Sequence, residues 1–405
     1  MNEITKTTKL DNVGYDIRGP VAEEAARMSR EGIDVVALNT GNPSTFGFYA
    51  PEPVERALCE NIRASEGYSD SYGIPEAIDA IKKYSEGKGI EGLGCGDVFT
   101  GNGVSELISI SLQALLDVGD EILVPTPDYP LWTSVATLCG GNVRGYVCDE
   151  GAGWMPDTAD IRRKITPRTK AIVVINPNNP TGALYAKDNI AEIMGIAREH
   201  GLVVFADEIY DRLVFDGVEH HSCAAVAPDV FTVTFNGLSK SHMLAGFRCG
   251  WMVISGDKTR AADYIEGIRM LSSMRLCANV PSQSVIKTAL DDAYSAAPLL
   301  RPGGRLYEQR EFIYEAVTDI PGLSSTKPQA AFYLFPRVDT KRFGIRDDER
   351  FVLDFLHEHH VLMTHGKGFN WPEPDHFRIV YLPPVSELRS IADKMKRFFS
   401  DYRQE

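Results

Sequence analysis

The chain has 405 residues, 43% hydrophobic and 24% charged, a composition that fits a soluble globular protein with room for two packed domains and argues against disorder. Its formal net charge of −14 opposes sequence-independent attraction to nucleic acid or anionic lipid. No run of roughly 18 apolar residues is present to cross a membrane, and the amino-terminal MNEITKTTKLDNVGYDIRGP lacks the apolar core of a secretion signal, so a cytoplasmic location is expected. Seven cysteines (Cys59, Cys95, Cys139, Cys148, Cys223, Cys249, Cys277) follow neither zinc-site nor disulfide spacing and are expected to be reduced and mostly buried.

Apolar, β-branched runs predict strands at 98–100, 121–124, 171–175, 202–206, 231–235 and 251–254, with helices at 105–116 and 187–200 between them. Strands alternating with helices imply an α/β fold with a mostly parallel sheet covered by helices. After Gly256 a long helical stretch is expected to about residue 290. Short strands (331–335, 377–382) then mix with helices (349–360, 385–399), the pattern of a smaller α+β domain. The expected division is an N-terminal arm and part of the small domain at 1–48, a large ligand-binding domain at 49–295, and the small C-terminal domain at 296–405.

Open parallel sheets bind ligands at the carboxyl ends of their strands. Those positions here are rich in polar groups. Gly101-Asn102-Gly103-Val104-Ser105 lies between a predicted strand and helix, where glycines admit close backbone approach and free N–H groups suit a phosphate. Alone it reads equally as a structural turn, since it is neither a dinucleotide fingerprint nor a P-loop. Asn179-Pro180-Thr181-Gly182 follows AIVVINP and is a rigid turn or a ligand loop. Asp207 ends LVVFAD, where a pocket-facing carboxylate pairs with a protonated ring nitrogen or simply caps a helix; Tyr210 follows three residues later. Lys240 stands just past FTVTFN in a short polar turn, and is either a lysine held out of bulk water for Schiff-base chemistry or, taken alone, an ordinary solvated surface lysine. Arg248 offers a second charge to a phosphate, and Arg378 in FRIVYL alternates with apolar neighbours as a pocket-facing arginine does.

Taken in order, YDIRGP, LNTGNP, GYSDSYG, TGNGVSELI, VPTPDYPLW, INPNNPTG, FADEIYD, TFNGLSK, AGFRCGWM, RLCANVP, PGGRLYEQR and FNWPEPDHFRIV make the chain resemble fold-type I, class I/II aminotransferases nearly end to end, and among them the bacterial glutamate–pyruvate (alanine) enzymes. The resemblance implies that pyridoxal 5′-phosphate is carried on Lys240, with Asp207 on its pyridinium nitrogen and Asn179 and Tyr210 on its 3-oxygen. It implies a phosphate held by Val104, Ser105, Ser239 and Arg248, a ring stacked on Tyr129, and Tyr68 reaching the phosphate of a neighbouring subunit in a homodimer. Arg378 and Gly41 would receive the substrate α-carboxylate. The position three before the lysine, often serine in aspartate aminotransferases, is Gly237, which shifts phosphate binding toward Ser239.

The implied reaction moves an amino group between L-alanine and 2-oxoglutarate, giving pyruvate and L-glutamate, in ping-pong fashion through pyridoxal and pyridoxamine phosphate. Lys240 is the expected base for the α-proton. Arg18, with Tyr15 beside it, is a candidate for the distal carboxylate of glutamate if the N-terminal arm folds over the pocket; an ion pair elsewhere is the alternative. His357-Glu358-His359-His360 has metal-binding residue types but lies in an amphipathic helical stretch without supporting ligands, so no metal is expected. His220-His221 and Asp149-Glu150 read as solvated loops, and His242 as structural or exposed. A transaminase of another amino acid or a pyridoxal-phosphate carbon–sulfur lyase would use similar residues, and only product analysis separates them. A DNA-binding regulator lacks room for its second domain, and a nucleotide-dependent oxidoreductase leaves Lys240 unexplained.

Overall fold

The computed structural model describes residues 3–291 and 295–404. An eight-stranded sheet forms its centre, from β1 (Val98–Gly101), β2 (Glu121–Thr126), β3 (Asn142–Asp149), β4 (Met155–Pro156), β5 (Thr169–Ile175), β6 (Val203–Asp207), β7 (Thr232–Gly237) and β8 (Gly250–Ser255). The strand order is β1-β8-β7-β6-β5-β2-β3-β4. β3, β2, β5, β6 and β7 run parallel, whereas β8 is antiparallel to both of its neighbours and β4 to β3.

Alternation along the strands explains the two covered faces. Ile122, Val124, Ala171, Val173 and Ile175 join one core with the helices Val104–Leu115, Leu131–Leu138 and Ala262–Met274. Their neighbours Leu123, Ile172 and Val174 point the other way, into a core with the helix Lys187–His200. A further core gathers Val21, Ala25, Met28, Leu38 and Phe48 with residues from Ala296 to Phe399, and takes in Tyr210, Leu213, Phe215 and Met243 from the sheet side. There Val36–Ala37 pairs in parallel with Val361–Leu362, and Phe377–Val380 pairs antiparallel with both Tyr333–Leu334 and Thr364–His365.

The α/β architecture follows the sequence pattern, with local differences. β3 and β4 escape prediction because NVRGYVCD sits near the sheet edge, where Asn142, Arg144, Val147 and Asp149 are exposed and the apolar signal is diluted. The expected helix from 256 to 290 is broken: Ala262–Met274 ends before Leu276, whose φ of +72° no helix admits, and short turns at Val280–Gln283 and Ile286–Ala289 follow. All seven cysteines are unpaired, but only Cys148, Cys223 and Cys249 are buried. His220 is half-buried with Nε2 3.1 Å from the Asn176 carbonyl, and Glu150 lies 3.5 Å from both Arg337 and His376, so neither belongs to a freely solvated loop. Within the histidine run, His357 bonds Glu24 at 2.8 Å, His359 lies 3.3 Å from Glu358, and His360 caps the helix with φ +56°. Among the described residues, no helix is long and apolar enough to cross a membrane.

Candidate active site

The parallel strands deliver their carboxyl ends to one rim, and the entrance to antiparallel β8 joins them there. After β1 the chain turns at Gly103 (φ +83°) directly into the helix starting at Val104, whose first N–H groups have no partner within the helix. A Cβ on Gly103 would fall 2.3 Å from Arg248 Nη2, so only glycine lets this guanidinium approach the helix start. Arg248, on the approach to β8, donates to the Ser105 hydroxyl at 3.1 Å and to the Asn102 carbonyl at 3.4 Å. Ser239 is buried one residue before Lys240, in the short helix Leu238–Ser241 that follows β7.

Lys240 Nζ donates to the Gly41 carbonyl at 2.9 Å. Burial, helped by the Arg378 and Arg248 charges, pulls its pKa down to about 8. Asp207 ends β6, only 3% exposed. Its carboxylate accepts the Trp132 indole N–H at 3.1 Å and, weakly, the Ile209 N–H at 3.4 Å. Neither donor is charged, and burial pushes its pKa up to about 6. Tyr210 turns back from the same loop and meets the Tyr333 hydroxyl at 2.7 Å. The intervening Glu208 and Asp211 face away: Lys88 lies 2.6 Å from each, Ser222 donates to Glu208, and Asn236 donates to Asp211 at 2.7 Å, with Tyr84 bonded to the same carboxylate. Burial opposes the Lys88 charge, yet the two carboxylates raise its pKa overall.

From the other core, Arg378 enters on the strand Phe377–Val380, 2% exposed. Its Nη1 donates to the Asn179 side-chain oxygen at 2.8 Å, and Nη2 donates to the Asn39 carbonyl. The guanidinium lies between the rings of Tyr333 (4.5 Å) and Phe369 (4.4 Å), and its buried Nε has no hydrogen-bond partner. A Cβ on Gly41 would meet Phe332 at 2.4 Å and the Tyr333 oxygen at 2.6 Å, so the backbone there packs against this wall. Tyr129 follows β2, and its hydroxyl is 2.9 Å from that of Tyr15, which brings the N-terminal arm to the rim. Beside it, fully buried Asp128 accepts from Thr133 and from Asn370, and its N–H bonds the Phe369 carbonyl.

Lys240, Asp207, Tyr210, Asn179, Arg378, Gly41, Ser105, Arg248, Tyr129 and Tyr15 thus occupy one rim of the sheet, with Val104 and Ser239 on the segments beside them. Arg18, in the turn Asp16–Arg18, is exposed, and Tyr68 is 82% exposed on this single chain. Trp132, Tyr333, Asn39 and Asp128 were not foreseen. Trp132 carried a signal, since a buried indole N–H needs an acceptor.

The residues fit pyridoxal phosphate on grounds visible in the structure. A buried carboxylate met only by neutral donors suits a protonated pyridine nitrogen, and an arginine edge with an unpartnered buried Nε suits a carboxylate. A helix start beside Arg248 suits a phosphate, and a lysine held near pKa 8 suits attack on a carbonyl.

The profile of the family described as aminotransferase class I and II matches residues 33–395. The chain is 54% identical over 404 residues to the glutamate-pyruvate aminotransferase AlaA of Escherichia coli (strain K12), covering 100% of both chains. It is 48% identical over 400 residues to the alanine aminotransferase of Mycobacterium bovis, covering 98% of this chain and 93% of that one. A crystal structure of an aminotransferase from Escherichia coli superposes with a TM-score of 0.98 at 53% identity, each chain fully covered. The chain belongs to the class I and II aminotransferases and is a pyridoxal-phosphate-dependent enzyme of that family.

Proposed function

We propose that the enzyme exchanges the amino group between L-alanine and 2-oxoglutarate, forming pyruvate and L-glutamate. The observation that carries this reading is end-to-end identity of 54% and 48% with relatives named for glutamate–pyruvate and alanine transamination. Bound pyridoxal phosphate supplies the electron sink that makes the substrate α-proton removable. Lys240 would hold the cofactor, and its amine, neutral when free, would accept that proton and become the ammonium that returns it. Asp207 keeps the ring nitrogen protonated, and Asn179 and Tyr210 bond its 3-oxygen. Val104, Ser105, Ser239 and Arg248 hold the phosphate, and Tyr129 stacks on the ring. Arg378 grips the α-carboxylate beside Gly41. Arg18, with Tyr15 at the rim, meets the distal carboxylate of glutamate.

The same reading assigns residues 49–295 to a large cofactor-binding domain, 1–48 to an N-terminal arm and part of the small domain, and 296–405 to the small C-terminal domain. It places the enzyme in the cytoplasm, consistent with seven unpaired cysteines. It also makes the enzyme a homodimer in which Tyr68 serves the partner's phosphate site, consistent with its 82% exposure on one chain.

The decisive experiment mixes the purified holoenzyme with single amino acids, follows its visible spectrum and identifies the released acid by mass. Rapid conversion by alanine and glutamate, yielding pyruvate and 2-oxoglutarate, supports the assignment. Conversion only by other amino acids moves the substrate within the family, and ammonia with pyruvate from cysteine makes the protein a lyase. Arg18→Ala is expected to lower kcat/KM for glutamate about tenfold or more while sparing alanine, the loss of one charged hydrogen bond. Equal loss for both substrates removes Arg18 from the distal site.

A further inference from the structure

Tyr333 stands at the centre of the pocket, 2% exposed, among groups whose roles are assigned above. Its hydroxyl is 2.7 Å from that of Tyr210, and the Arg378 guanidinium lies 4.5 Å over its ring. The Phe332 ring packs edge-on against Tyr210, leaving the two phenols in a mostly apolar enclosure. A phenol has one hydrogen to donate and lone pairs to accept with. When Tyr210 gives its hydrogen to an acceptor outside the pair, the contact stays a hydrogen bond only if Tyr333 is the donor. The chemistry favours that direction. Burial raises the pKa of both phenols and the Arg378 charge opposes the rise at both, but Tyr210 is raised further, leaving Tyr333 the more acidic and better donor.

We propose that Tyr333 is a positioning residue that donates its hydroxyl hydrogen to Tyr210, so that Tyr210 donates more strongly to the 3-oxygen of bound pyridoxal phosphate. This rests on the assignment of Tyr210 to that oxygen. Hydrogen bonds in series polarise one another by about 10–30% per bond, and they do so most where water is excluded. The relay links the carboxylate end of the pocket to the cofactor end, because Arg378 lies over one phenol and the other reaches the ring. A carboxylate arriving at Arg378 neutralises the charge that makes Tyr333 acidic, and so weakens the donor at the ring oxygen when substrate is in place.

The test reads the pH midpoint of the visible absorbance change of the holoenzyme in the absence of substrate. A strong donor at the ring oxygen stabilises negative charge there and lets the nitrogen joined to Lys240 lose its proton at lower pH, so weakening the donor raises the midpoint. Tyr210→Phe should raise it by about 1 unit or more, the worth of a hydrogen bond to a charged group. Tyr333→Phe, which keeps the ring under Arg378, should raise it by about 0.2–0.6 unit and add nothing in the double variant. An unmoved midpoint in Tyr333→Phe, with Tyr210→Phe shifted, overturns the relay. So does an equal Tyr333→Phe shift in the Tyr210→Phe background, which would mean that Tyr333 acts independently. If Tyr210→Phe itself moves nothing, the Tyr210 assignment fails and takes the relay with it.

Discussion

Two buried groups of opposite sign sit in this pocket without neutralising each other, and each gives a pH-dependent prediction. Lys240, drawn down to about pKa 8, is about one-tenth neutral at pH 7, against a few ten-thousandths for a solvated lysine. The rate at which cofactor-free protein takes up pyridoxal phosphate should therefore rise with pH and level off above about 8; a rise continuing past pH 10 would place Lys240 in water. Asp207 has its folded pKa raised to about 6 from an unfolded value near 3.9. Its contribution to stability is complete below pH ~4 and is lost as pH rises through 6, at most about 3 kcal/mol. Cofactor-free Asp207→Asn should accordingly lose less Tm than the parent between pH 4 and 6.5, measured by calorimetry in matched buffers. A parallel decline in both proteins would mean that Asp207 is already charge-paired. Asn179, Asp207 and Lys240 could be singled out in the sequence because each stands at or just past a strong strand run, and Arg378 because it alternates with apolar neighbours within one. Tyr333 could not, since its partner lies 123 positions away and AAFYLF reads as core throughout.

The loop after β6 shows how a single element serves two purposes. Asp207 and Tyr210 face the pocket while Glu208 and Asp211 turn to the other side, where the single charge of half-buried Lys88 is shared between the latter two. Lys88→Met leaves two buried carboxylates without their cation, a change worth about 3–5 kcal/mol. We expect a lower denaturant midpoint in this variant, together with weaker cofactor binding because the Tyr210 loop loses its anchor. Unaltered stability would show that water replaces the ammonium group. The sequence motif FADEIYD gave Asp207 and Tyr210, but Lys88 lies about 120 positions upstream in a polar helix end where nothing separates it from a solvated lysine. β3 was missed for a related reason: near the sheet edge, half of its side chains meet solvent and its apolar signal is diluted. Strong elements with covered faces are written locally, whereas the contacts that fix their loops are written at long range.

At the scale of the molecule, the exposed Tyr68 makes subunit exchange informative. If it completes the neighbour's phosphate site, mixing Lys240→Ala subunits with Tyr68→Ala subunits creates dimers with one intact site. The mixture should then recover activity that neither parent shows, up to about a quarter of wild type when random exchange puts half the dimers in the mixed form. No recovery, with exchange confirmed by mass, would place Tyr68 in its own subunit's site. The twelve ordered motifs made the overall architecture readable in advance, but the joining of the sheet to the C-terminal core was not. That joining runs in part through the pocket, from Arg378 to Asn179, Lys240 to Gly41, and Asp128 to Phe369 and Asn370, and in part beside it, through the Val214–Ala330 bridge and the Arg310–Asp216 ion pair. No fragment of the chain can therefore assemble the ligand site, and a ligand senses only the fully assembled molecule. Its binding energy must appear as protection against global rather than local opening, slowing hydrogen exchange in both cores by the same factor. Cofactor capture in this protein is a thermodynamic report that folding has finished.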